Sequence, residues 1–168
     1  MVNNKPHPQV ALLLGILDDA YDTKAWHGPN LKSCIRRLRA SEAAWRPHPD
    51  RRSIADMVVH AACWKYAVRR RLRGDKRGSI ALKGSNWFKL PEPLAESVWR
   101  GYVALLETEH RALRQVVATL SHRQLDQIPK GSKFTTAAMI YGVAAHDVYH
   151  AGQIQLLKRL AQACTKSQ

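Results

Sequence analysis

Residues 144–160 read AAHDVYHAGQIQLLKRL, with histidines at positions 146 and 150. On an α-helix that spacing stacks both rings on one face, one turn apart, where both can bind a single metal ion. Met139, Val143, Gln153, Leu157 and Leu160 share the face, so His146 and His150 lie on the inner stripe and not among surface charges. A third histidine, His60, falls between Met57, Trp64 and Ala67 on another face that periodicity assigns to the interior. Three imidazoles from two facing helices would leave a fourth coordination position open, which is the pattern of a catalytic metal site. The other reading is a set of buried histidines, each hydrogen-bonded to a carbonyl. His-x-x-x-His recurs by chance, and spacing alone leaves both readings open. No glutamate follows His146 as in H-E-x-x-H sequences, which disfavours a protease.

These rings need helices to hold them, and the chain has helical and not alternating period between its Pro- and Gly-rich breaks. A first long helix is expected from about Gln9 to Trp26, with Leu13, Leu17, Ala20 and Lys24 on its apolar face, stopped by HGPN at 27–30. A short helical piece follows in LKSCIRRLR, and one further turn in SEAAWRP, ended by Pro47. The second long helix begins at Ser53, where S-I-A-D has the capping-box pattern, and carries Met57, Ala61, Trp64, Val68 and Leu72 inward until Gly74. The third runs from about Pro93 to Leu120, with Val98, Tyr102, Leu105, Leu106, Leu113, Val116 and Val117 inside. The fourth runs from Thr135 or Thr136 to about Ala163. The expectation is an all-α four-helix bundle in one domain, residues 1–168 with a core of about 10–163, and a long loop between the second and third helices. That loop contains Asn86, Trp87 and Phe88, which either wall the open coordination position or pack the loop onto the bundle.

Composition narrows the class. The 168 residues suit one domain, and no apolar run approaches the ~20 residues of a membrane-spanning helix. The start MVNNKPHPQ lacks the features of a signal peptide, so a cytoplasmic protein is expected. Cys34, Cys63 and Cys164 form no C-x-x-C pair, which argues against a disulfide framework or a cysteine zinc site. The net charge of +14 attracts polyanions, and KYAVRRRLRGDKR at 65–77 concentrates basic residues. No helix-turn-helix, zinc finger or aromatic RNA platform accompanies them, so specific nucleic-acid binding ranks last.

The segments VVHAACWKYAVRRRL and AAHDVYHAGQIQLLKRL together resemble the DinB-like (DinB/YfiT) superfamily of metal-dependent bundle proteins, and LRASEAAWRPHPDRRSIADMVVH is similar to that family's approach to its first histidine. The resemblance covers roughly residues 10–160, most specifically in His146, Tyr149, His150, Gly152, Gln153 and Ile154. It implies a metal triad of His60, His146 and His150, an up-down-down-up bundle that is commonly a homodimer, and zinc, nickel or another divalent ion. It also implies a thiol S-transferase or a hydrolase acting on a small molecule, with bacillithiol, mycothiol or glutathione among the thiols used by relatives. A non-catalytic, metal- or ligand-binding dimer is the alternative. Around the triad, Asp56 and Asp147 are candidates to orient the histidines, while Trp64, Tyr149 and Gln153 are candidates for the pocket wall. Arg69, Arg70 and Arg71 are candidates to neutralise an anionic substrate.

Overall fold

The computed structural model describes residues 6–76, 78, 80 and 86–166. The described residues form seven helices: α1 (Pro8–Tyr21), α2 (Leu31–Ile35), α3 (Ala40–Ala44), α4 (Ile54–Arg73), α5 (Glu96–Ala118), α6 (His122–Leu125) and α7 (Thr136–Lys166). The four long ones make the bundle, and α2, α3 and α6 are short connecting turns. Local chemistry sets their ends. Ser53 Oγ accepts the Asp56 N–H while the Asp56 carboxylate accepts the Ser53 N–H at 2.8 Å, closing the capping box that starts α4. Gly74, at φ 70°, donates its N–H to the carbonyls of Arg70 and Arg71 and stops that helix.

Helix α1 is shorter than its periodicity suggests. It ends at Tyr21, because Asn30 donates its side-chain amide to the Thr23 carbonyl at 2.7 Å and folds the chain back; Lys24 and Trp26 are exposed. In α7 the innermost line is Ile140, Ala144, Asp147, Ala151 and Ile154, one step round from the expected stripe. Met139, Val143, His150 and Leu157 flank it and are buried, His146 is half-buried, and Leu160 is exposed. In α5 the buried line is Trp99, Tyr102, Leu106, Glu109, His110, Leu113 and Val117.

Cross-helix contacts fix the directions. Helix α4 runs antiparallel to α7, since His60 meets His150 and His146 while Val68 lies with Met139 and Val143. Helix α1 runs antiparallel to α5, with Tyr21 on Glu107 and Asp18 on Arg114. Helices α4 and α5 are parallel, Lys65 lying on His110 and Leu72 beside Val116 and Thr119. The order is therefore up-down-down-up, and the parallel pair requires the long crossover from Gly74 to Ala95.

The apolar interior divides into two clusters. One gathers α2, α3, the first halves of α4 and α5, and the last half of α7. The other gathers α1, α6, the last halves of α4 and α5, and the first half of α7. Between them lies a polar layer of Lys65, Glu109, His110, His146, Asp147 and His150. No helix among the described residues is long and apolar enough to cross a membrane.

Candidate metal centre

Helix α4 presents His60 and α7 presents His146 and His150 to one point. His146 Nε2 lies 3.1 Å from His60 Nε2 and 3.0 Å from His150 Nε2. The outer nitrogens explain why this is not an ordinary hydrogen-bonded set. His60 donates its Nδ1–H to the backbone carbonyl of Asn86 at 2.9 Å, and His150 donates its Nδ1–H to Gln153 Oε1 at 2.7 Å. Both acceptors are oxygens, so both rings turn an unprotonated Nε2 lone pair towards His146. A proton on His146 Nε2 can serve only one of those two lone pairs at a time, whereas a cation among the three rings serves them all. Nitrogens bound to zinc at ~2.0–2.1 Å in a tetrahedron stand about 3.3 Å apart, close to the separations found. The donor set and its spacing fit a divalent metal, which His60, His146 and His150 would hold.

The electrostatics suit the same role. Burial pushes the pKa of His150 down to about 4, against the hydrogen bond it donates to Gln153, which favours its charged form. Burial, then the neighbouring His150 and His60, push His146 down to about 3. Burial also lowers His60, opposed by the Asn86 carbonyl. Three neutral imidazoles at neutral pH are ligands ready for a metal without first losing a proton. His146 Nδ1 is buried with no hydrogen-bond partner, so this ring alone lacks the outer acceptor its two neighbours have.

The crossover completes the wall. Trp87 stacks face to face on His60, ring centres 3.9 Å apart and planes 3° from parallel, and the Arg52 guanidinium lies over Trp87 at 4.8 Å. Trp64 meets His60 and His146 edge-on at 6.3 Å. Phe88 is buried in the first apolar cluster and does not join this wall. Of the wall residues expected from sequence, Tyr149 is exposed; its hydroxyl accepts from Gln153 Nε2, so it steadies the glutamine that steadies His150.

Two carboxylates stand elsewhere than expected. Asp56 does not orient His60: it is taken by the cap of α4 and by Arg46, 2.5 Å away. Asp147 does not touch a histidine. It pairs with Lys65, and both side chains are fully buried. Lys65 had been grouped by sequence with a basic surface run, yet it occupies the centre of the bundle, 3.4 Å from His110 Nδ1. The register of Val58, Ala61, Lys65 and Val68 on one helical face was the signal for this, overridden by residue type. The rest of that run is dispersed as well. Arg69 forms two hydrogen bonds to Glu109, Arg70 reaches the Asp75 carbonyl, and Arg73 pairs with the Asp75 carboxylate. Arg71 alone of the three candidate arginines turns towards a cavity that His146 also lines. Arg77 lies outside the described residues.

A second group of ligating types, Asp18, Asp22 and His110, also comes together. Arg114 chelates Asp18 and Arg111 and Lys32 approach Asp22, so cations of the chain already occupy those carboxylates.

The family model of the DinB superfamily matches residues 24–154, a span that contains all three converging histidines. No match was found among curated proteins or among solved structures.

Proposed function

Because the chain belongs to the DinB superfamily, we propose that it is a divalent-metal-dependent enzyme whose ligands are His60, His146 and His150, and that it transfers or activates a small thiol. The convergence of three Nε2 atoms, two of them locked as lone-pair donors by Asn86 and Gln153, carries the reading. Three protein ligands leave room for an exogenous one, and a divalent ion there lowers the pKa of a bound thiol or water. Zinc is the default and nickel the next choice, since imidazole nitrogens do not separate them.

The residues around the site bind and orient; they are poorly arranged to move protons. Asp147 is held by Lys65, Asp56 by Arg46 and Glu109 by Arg69. A chemistry whose nucleophile ionises on binding suits such a site better than one that needs a carboxylate base, which favours a thiol S-transferase over a hydrolase. The chain's own buried Cys34 and half-buried Cys63 are unsuited to the role, since burial pushes both thiols up. The transferase would be cytoplasmic, where small thiols are kept reduced, and would act as a homodimer.

Elemental analysis of protein purified without a histidine tag tests the reading. About one equivalent of zinc or nickel per chain is expected, absent from a His146→Ala, His150→Ala variant. Gln153→Ala, which keeps all three ligands and frees the His150 ring, is expected to weaken metal affinity by about 10–100-fold. Thiol conjugation to chlorodinitrobenzene should then follow metal content. Wild-type protein that takes up neither metal on titration would rule the proposal out.

A further inference from the structure

A cavity of about 520 Å³ opens between α4, α7 and the turn at 131–134, within the range of small-molecule sites. Its sides are Trp64, Val68, Phe134, Met139 and Val143, and its floor on α7 is Ala138, Gly142 and His146 at steps of four. The missing side chain at Gly142 is part of its volume, since a Cβ there would meet nothing within 4 Å. One end touches the metal centre through His146. The lining also holds two cations, Arg71 and Lys133. Neither forms an ion pair with an acid of the described residues, unlike Arg69 and Arg73 beside them.

We propose that this cavity binds the second substrate, an amphipathic organic acid whose apolar chain lies on the aromatic and aliphatic walls and whose carboxylate is held by Arg71 and Lys133. The proposal rests on the metalloenzyme reading for the role of the ligand, but its binding does not depend on the metal. Trp64 to Arg71 on α4 and Met139 to His146 on α7 each span seven residues, about 10 Å of helix, which an extended chain of about eight carbons covers. An acid of that length places its far end beside His146.

Calorimetric titration with octanoate, butyrate and octanol tests this on the full chain loaded with zinc. Octanoate is expected to bind once per chain, with butyrate and octanol each weaker by about tenfold or more, because one loses the walls and the other the cations. Gly142→Leu fills the cavity and should abolish binding. It removes a mid-helix glycine without a clash, so an unchanged or raised melting temperature shows that the variant is folded. Arg71→Gln should remove most of the preference for acid over alcohol. Full octanoate affinity in Gly142→Leu, equal binding of octanol, or no octanoate binding by zinc-loaded wild type would each overturn the proposal. His60→Ala separates the two readings. Octanoate bound without zinc in that variant supports an independent cavity, whereas zinc bound by wild type that ignores octanoate sinks the cavity and leaves the metal centre standing.

Discussion

A buried imidazole can be a ligand, a hydrogen-bonding core residue or a charge sensor, and this chain holds examples that differ only in surroundings. His60 and His150 each commit Nδ1–H to an oxygen and turn Nε2 to a shared point. His110, equally buried, instead stacks on Tyr21 at 3.8 Å and faces the Lys65 ammonium. Burial first, and Lys65 next, hold its pKa down to about 3. Glu107 of α5 acts in the other direction, but less, and Arg111 and Arg114 lower it further, while Asp18 and Asp22 lie close to the ring. The unfolded chain takes up this proton near pH 6.5 and the folded one does not. Stability is therefore full above about pH 6.5 and declines as pH falls towards the folded value, by at most ~1.4 kcal/mol per unit for this group. Urea unfolding of metal-free protein from pH 7 to 4 should show that decline, shallower by about one proton in His110→Asn. Parallel pH profiles for the two proteins would show that His110 is not held neutral. At this scale sequence showed which histidines face inward but not what their second nitrogens touch. The partner of His60 is a backbone carbonyl 26 residues away in an irregular segment, and periodicity carries no information about carbonyls. Gln153, three residues from His150, was visible as an inner-stripe candidate for the pocket wall; only geometry shows that it accepts from the His150 ring.

Among the elements, α4 and α7 carry the three converging histidines, so whatever fixes their mutual height fixes the site. Lys65 and Asp147 do this at the level of the histidines. Burial pushes the Asp147 carboxyl up while Lys65 pulls it down, which makes each partner dependent on the other. Lys65→Met alone is expected to cost ~3–5 kcal/mol by stranding a buried carboxylate, and Lys65→Met with Asp147→Leu to recover most of it. Urea unfolding of the two single variants and the double variant measures the coupling. A cost below ~1 kcal/mol for Lys65→Met would mean that the carboxylate is hydrated or neutral there. The recovered double variant should still bind zinc more weakly, because the helices have lost the contact that sets their height. Helix starts and stops were largely legible, since Ser53, Asp56 and Gly74 act through their own backbone neighbourhood. The rotation of the α7 stripe was not, because it depends on the partner helices, and the burial of Lys65 was written in its register but masked by its residue type.

For the whole molecule, net charge and one exposed face pull against each other. The outer side of α7 presents Tyr141, Val148 and Leu156 to solvent, with Ala145 and Gly152 between them. An apolar stripe of this length supports pairing of two copies across α7. Each copy carries +14, so association is opposed by repulsion that salt screens. Light scattering is expected to show a dimer that tightens as salt rises from low to physiological strength, the reverse of an interface built on ion pairs. Val148→Glu with Leu156→Glu should yield monomers. A dimer that dissociates with added salt, or survives both substitutions, would place the contact elsewhere. The crossover from Gly74 to Ala95 also belongs to this scale. Parallel packing of α4 and α5 obliges the chain to return along a helix of about 30 Å, while its residues between Gly74 and Ala95 reach about 70 Å when extended. The return path is thus more than twice as long as connection demands, and the surplus brings Asn86 and Trp87 over His60. The three converging histidines reside on the helices, and much of the wall resides on a crossover that is itself anchored in the core through Phe88. A descendant of this protein can therefore exchange the Trp87 side chain, and with it the shape of the wall, while Phe88 and the Asn86 carbonyl keep the crossover and the His60 ring where they are.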